Sequence, residues 1–272
     1  MKKYLYLVFL LLAVLSLGIT EAYTQGMSAY PVLNHLRIAP GNSGTQRIAV
    51  SNPNNTPLDI GISINDWQMD SAGITRVATA GTLRTSMADW LQIQPGTFIS
   101  LQPKETREIT IIVTPPANAD TSVPVHTTLL FLTQLNPPES TPGVSALRVA
   151  IRLGVKIFHS FTNADEKELE ITGLRDVKIA KDSLTTVPGL ELEVTNTGKI
   201  WMDAKPKWEL VNSGTGKKTT IDGYEFTSLP GDVRVIRQEL PATLPKGRYT
   251  ATVMVNYGRK DELKVAELDF AL

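Results

Sequence analysis

Few side chains in this sequence are of types and spacings that do covalent chemistry. There are three histidines, His35, His126 and His159, and no cysteine. The histidines stand far apart, each on or beside a run patterned as a strand. None has a second histidine or an acidic residue at the short spacing of a metal site. Gly41-Asn42-Ser43-Gly44 sets a serine among small residues, but the strand and helix that would make it an exposed nucleophile are missing, so it reads as a hairpin turn. No glycine-rich phosphate loop occurs. Without a nucleophile and base, a carboxylate pair or a metal cluster, the chain is expected not to be an enzyme, with no metal and no cofactor. Trp67, Trp90, Trp201 and Trp208 could form a stacking platform for sugar, although tryptophans at strand ends more often pack a core or a domain junction.

One run stands out for its pattern. Ala146 to Phe158 reads as a strand of thirteen residues, where five or six is typical. By the two-residue period Leu147, Val149, Ile151 and Leu153 share one face, and Arg148, Ala150 and Arg152 the other. Two readings are open. The apolar face packs into its own domain with the arginines in water, or the apolar residues project from an exposed edge and enter a groove of another chain. In the second case main-chain hydrogen bonds give affinity and alternate side chains give specificity.

The elements around this strand are all β in pattern. After residue 30, short alternating or β-branched runs are broken every eight to twelve residues by Gly, Pro, Asn or Asp, the signature of sandwiches. Strands are predicted at 32–39, 45–52, 58–67, 73–80, 90–94, 107–114, 126–134 and 146–158, then at 169–179, 190–196, 205–211, 219–226, 233–238, 248–257 and 263–270. Pro137-Pro138-Glu139-Ser140-Thr141-Pro142-Gly143 reads as a long loop before the last strand of the first domain. The polar stretch 159–167 reads as the domain boundary. No helix of consequence is expected.

At the start, Met1-Lys2-Lys3 precedes an uncharged apolar run from Tyr4 to Leu17, too short to span a bilayer and ordered like a secretory signal peptide. Small residues at Thr20-Glu21-Ala22 suit cleavage near Tyr23, with Gln25-Gly26 the alternative. The predicted organisation is a signal peptide at 1–22, an N-terminal immunoglobulin-like domain at 23–160 and a C-terminal β-sandwich at 161–272. No later run is long enough for a membrane span. The full chain has 27 basic and 27 acidic side chains, and losing Lys2, Lys3 and Glu21 leaves that balance near zero. Charge therefore gives no reason to expect nucleic acid or an anionic membrane as partner.

The long strand and several other landmarks resemble the periplasmic pilus-assembly (fimbrial) chaperones. Leu147, Val149, Ile151, Lys156 and Ile157-Phe158 match the last strand of that family's first domain without a gap. Leu36-Arg37-Ile38-Ala39-Pro40-Gly41 resembles its first strand with an anchoring arginine. Ser51 to Pro57 followed by Trp67 resembles its Asn-Pro turn and strand-end tryptophan, and Trp90 to Pro95 and Leu101 to Pro116 resemble its middle strands. The chain departs from the family at Ala119 to Pro124, which lacks the usual Arg and Glu, and at His159-Ser160-Phe161, where an Arg-Pro is common.

The resemblance implies an all-β protein of two tandem immunoglobulin-like β-sandwich domains set in an L, exported to the periplasm. It implies that pilus subunits are bound by donation of the strand through Leu147, Val149, Ile151 and Leu153. Arg37 and Lys156 would hold the subunit's C-terminal carboxylate in the cleft between the domains, and an outer-membrane usher would be a further partner. The alternative is a non-catalytic periplasmic or surface protein that uses the same sandwich for adhesion or scaffolding.

Overall fold

The computed structural model describes residues 26–137, 149–161 and 166–272. The expected signal peptide, Leu147 and most of the loop expected at 137–143 lie outside the described residues. Among those described, the helical element is one 3-10 turn, Ala88–Trp90, and everything else regular is strand.

The first ten strands are β1 (Ser28–Tyr30), β2 (Leu33–Arg37), β3 (Gly44–Ser51), β4 (Leu58–Met69), β5 (Thr75–Ala78), β6 (Leu91–Gln94), β7 (Phe98–Leu101), β8 (Thr106–Val113), β9 (Val125–Gln134) and β10 (Arg152–Ser160). They form two sheets. One has the order β1-β3-β8-β6, and the other β2-β10-β9-β4-β5 with β7 also on β4. The first strand thus splits between the two sheets, and the later strands follow immunoglobulin order. Alternation drives the packing. Ile48 and Val50, Leu58 and Ile60, Ile109 and Ile111, Leu130 and Leu132, and Val155 and Ile157 all turn inward to one core, each at period two.

The other eight strands are β11 (Leu169–Ala180), β12 (Thr186–Asn196), β13 (Met202–Asn212), β14 (Lys218–Asp222), β15 (Phe226–Ser228), β16 (Val233–Glu239), β17 (Arg248–Asn256) and β18 (Lys264–Ala271). They make the sheets β11-β12-β16 and β14-β13-β17-β18, with β15 also on β13. Trp208, Tyr257, Leu192, Val253 and their neighbours form a second core. The architecture is two tandem immunoglobulin-like sandwiches.

Some local expectations change. Gly41 to Gly44 is not a hairpin turn: β2 pairs with β10, while β3 pairs with β1 and β8, so the turn carries the chain from one sheet to the other. The strand expected at 219–226 divides at Gly223, whose N–H donates to the Pro206 carbonyl at 2.9 Å. A Cβ at Gly223 would lie 2.8 Å from that oxygen, a close backbone approach that glycine alone tolerates. Two short strands, β1 and β7, were hidden by flanking prolines, which blur a period-two signal only three or four residues long.

The long strand also changes at both ends. Its regular part begins at Arg152 because its partner β9 ends at Gln134. There the Gln134 N–H still donates to the Ile151 carbonyl, but Leu135 turns away to donate to Asp59. At its other end β10 runs on to Ser160, held on one side by β9 and on the other by parallel pairing with β2.

Candidate functional site: the open edge of β10 and the domain cleft

The two neighbours of β10 cover different lengths of it. β9 pairs with residues 152–160, but β2 pairs only from Lys156 onward, with Lys156 opposite Leu33 and Ser160 opposite Arg37. Ahead of Lys156 no described strand lies on that side. The Lys156 N–H donates to the Val32 carbonyl at 2.9 Å. Main-chain groups alternate in direction along a strand, so Arg152 and Gly154 aim their N–H and C=O groups at the open side. The edge is bordered by exposed apolar side chains, among them Tyr30 (77% exposed), Val32 (54%) and Val149 (57%). Unpaired edges of this kind accept another strand unless charge or cover prevents it.

The strand's two faces have different tasks. Ile151 and Leu153 are half-buried and pack on the N-terminal core beside Val155 and Ile157, while Val149 stands clear of it. The opposite face carries Arg152, Gly154, Lys156 and Phe158. It looks onto the second sandwich through a small cluster in which Trp67, Leu129 and Phe158 meet Leu229 and Trp201. Phe158 lies edge-on to Trp67 at 5.6 Å and tilted against Trp201 at 5.3 Å. Trp67 and Trp201 were among the four tryptophans that the sequence offered for a sugar platform, a core or a domain junction, and these two lie at the junction.

Lys156 and Arg37 share this cleft-facing side, because Lys156 pairs with Leu33 and Arg37 with Ser160. They lie four residues apart along the paired strands, roughly 13 Å at the usual rise. Lys156 crosses β9 so that its Nζ sits 4.1 Å from the centre of the Trp67 ring and donates to Thr75 Oγ1 at 3.1 Å. Burial first, and the charge of Arg234 second, push its ammonium below the ordinary lysine range. Arg37 is exposed and lowers the titration of His35, whose pKa is depressed mainly by burial. One carboxylate can touch both cations only if Lys156 leaves Trp67 and both side chains extend toward each other along the strands. Arg152 stacks over Phe131, its guanidinium carbon 3.5 Å from the ring centre.

Arg234 joins the two sandwiches and carried no signal in the sequence, where Val233-Arg234-Val235 looks like ordinary surface alternation. It is 4% exposed. Its Nε donates to the Ser71 carbonyl at 3.3 Å, and Nη1 donates to the Thr227 carbonyl and reaches the Met69 sulfur at 3.7 Å. The Val235 N–H donates to the same Ser71 carbonyl at 2.8 Å. The β4–β5 turn thereby caps the free edge of β16. That turn needs Gly73, whose φ is +86° and whose Cβ would fall 2.1 Å from Arg234 Nη2.

The histidines, apart in sequence, converge in the structure. His126 and His159 face each other across β9 and β10, ring centres 6.0 Å apart. Trp90 lies 4.4 Å from His126 and Phe161 4.5 Å from His159. His159 Nε2 lies 2.8 Å from the Ile38 carbonyl and donates to it. His35 Nε2 lies 3.0 Å from Ser160 Oγ. The tryptophans do not form one platform: Trp208 is in the C-terminal core, Trp67 and Trp201 are in the cleft, and Trp90 packs on this cluster.

Burial, with the neighbouring His159 adding to it, lowers the His126 pKa from 6.5 to about 4. Above pH 6.5 both folded and unfolded states are neutral there. As pH falls from about 6.5 toward 4 the unfolded chain binds the proton first, so stability falls. Screening by solvent limits the loss to about 1–2 kcal/mol. Thermal unfolding from pH 7 to 5 should show this slope, and His126→Gln and His126→Phe should each flatten it; an unchanged slope would assign the acid sensitivity elsewhere.

No family model matches the sequence, and no curated protein matches it. Solved structures do. The Pseudomonas aeruginosa CupB2 chaperone is 13% identical, over 90% of this chain and 100% of its own, with a TM-score of 0.46. The E. coli chaperone DraB is 13% identical, over 90% and 99%, at 0.45. A chain of the Salmonella enterica complex of SafA pilin with the SafB chaperone is 16% identical, over 92% and 98%, at 0.43. The chain is thus similar, at low identity and along about 90% of its length, to solved chaperones, and its own sheets make it a protein of two immunoglobulin-like sandwiches in tandem.

Proposed function

We propose that this protein is a periplasmic chaperone that binds pilus or fimbrial subunits by lending them the open edge of β10. The observation that carries this reading is the edge itself. Residues 152–155 have β9 on one side and no described strand on the other, and they end where Lys156 meets the start of β2. A subunit strand added there gains main-chain bonds from Arg152 and Gly154. Its inward residues would meet Val149, Ile151 and Leu153. Leu147 belongs to the same apolar series but lies outside the described residues.

The subunit's C-terminal carboxylate is held by Lys156, which leaves the Trp67 ring to meet it, and Arg37 stands further along the same face. A carboxylate fixed at Lys156 sets the register of the added strand, which matters because a one-residue slip turns the wrong side chains inward. Because the terminus is at Lys156 and the strand extends back toward Val149, the subunit runs parallel to β10. Handing the subunit to an outer-membrane usher is the step that follows from this role.

Mass spectrometry of the protein purified from its native periplasm should find a small β-rich subunit at near-equal amounts. Val149→Asp places a charge in the lent series without touching the core and should reduce that subunit about tenfold or more, with folding stability within about 0.5 kcal/mol of the parent. A protein that elutes with no subunit, or self-associates through another surface, would favour the adhesion or scaffolding role.

A further inference from the structure

Three cations on the cleft-facing side of the six-stranded sheet are evenly spaced. Arg152 and Lys156 are four residues apart on β10, and Arg37 sits opposite Ser160, four residues further. Each interval is roughly 13 Å. None of the three forms an ion pair with a carboxylate of the described residues. Most other cations of this sandwich do: Arg47 pairs with Glu108, Arg76 with Asp70, Arg84 with Asp120 and Arg107 with Glu105. Among the described residues the exposed arginines on this face have no carboxylate partner, and Arg152 rests on the ring of Phe131. Phe131 and Gly154 are paired in register beside it, and the space a side chain at Gly154 would take is filled by Leu129 and Phe131, 3.1 and 3.6 Å from where its Cβ would lie, so the surface between Arg152 and Lys156 is apolar.

Resting on the strand-lending reading, we infer that the bound strand carries an acidic side chain four residues before its C-terminal residue, where it meets Arg152 while the terminal carboxylate meets Lys156. The spacing follows from the register. A strand parallel to β10 has the same rise, and β2 occupies the edge from Lys156 onward, so the guest ends there. Residues four apart on the guest share a face, so a guest residue level with Arg152 points to the same side as the terminal one. A carboxylate there gains a charge-assisted bond from the guanidinium. An apolar or basic residue leaves Arg152 without a partner beneath an added strand, which is costly. The chain therefore reads its partner by two negative charges about 13 Å apart, one at the terminus and one on a side chain. Arg37, past the end of the guest, adds to the positive potential along the stripe.

The test uses the full mature chain and fluorescein-labelled twelve-residue peptides of alternating Thr and Val or Ile with a free C-terminal carboxylate. They carry Glu or Gln four residues before the last, or Glu three residues before it, and a fourth peptide is the first with its terminus amidated. Anisotropy should show the Glu peptide binding at least fivefold more tightly than the Gln peptide. The shifted Glu should lose that gain, and Arg152→Gln should abolish the difference while leaving the preference for a free terminus. If the terminus matters but Glu, Gln and shifted Glu bind alike, the acidic position is wrong and strand lending stands. If amidation has no effect, or no peptide binds, the strand-lending reading fails and takes this inference with it.

Discussion

Lys156→Glu should abolish recovery of a bound subunit while leaving the sandwich folded. The variant puts a like charge where the subunit's terminal carboxylate must sit, and losing one side of a desolvated charge pair costs about 2–4 kcal/mol, roughly 30- to 1,000-fold in affinity. Folding should change little. The ammonium makes one hydrogen bond, to Thr75, and one contact with the Trp67 face, and its charge is disfavoured by burial and by Arg234. Arg37→Glu should have a smaller effect, because Arg37 lies four residues further along the strands. Equal losses in the two variants would mean that both cations close on one carboxylate. Undiminished recovery in Lys156→Glu would remove Lys156 from the anchor. The measurement is subunit recovered per chaperone by quantitative mass spectrometry, with thermal unfolding of each variant alongside.

Arg234→Ala should be the most damaging single substitution at the domain junction. The guanidinium is buried and donates to carbonyls of both sandwiches, at Ser71 and Thr227. Alanine leaves a void beneath Phe226, takes the donor from the Thr227 carbonyl and removes one of the two bonds to Ser71. The expected cost is about 3 kcal/mol, or roughly 6–12 °C in Tm for a domain pair of this size. Because the side chain couples two cores, calorimetry should show more than lower stability: a joint transition should separate into two. Lysine should not rescue the coupling, since one ammonium cannot reproduce a fork that serves three acceptors. A variant that keeps a single transition within 1–2 °C of the parent would show that the hydrophobic cluster of Trp67, Phe158, Trp201 and Leu229 couples the sandwiches unaided.

Lys156 and Arg234 are neighbouring groups of opposite legibility. Lys156 was visible in the sequence through its resemblance to the pilus-assembly chaperones, in which a lysine and then an apolar and aromatic pair follow the long alternating strand. Arg234 was not, because an arginine flanked by valines in a short strand is the ordinary pattern of an outward-facing residue. It is buried because it shares the inward face of β16 with Ile236 and because the β4–β5 turn of the other sandwich lies against it, and no local pattern encodes that second contact. His126 and His159 make the same point. They are 33 residues apart in the sequence and look unrelated, yet the antiparallel register of β9 and β10 places them opposite each other.

The sequence by itself determined the fold class and most strand positions, because period-two alternation and the Gly, Pro and Asn breaks are local consequences of one-sided burial. It also singled out the strand containing Val149, Ile151 and Leu153, whose length and apolar spacing are likewise local properties. Which face of that strand does what was a matter for the tertiary structure. Alternation says that Ile151 and Arg152 point opposite ways, but only the second sheet makes Ile151's side the core and Arg152's side the cleft. The open edge had the same origin. β2 joins β10 at Lys156 and not earlier because the chain crosses between sheets at Pro31 and Val32. Strand pairing is long-range, set by which segments meet in space, and it leaves residues 152–155 with one neighbour and one side to lend.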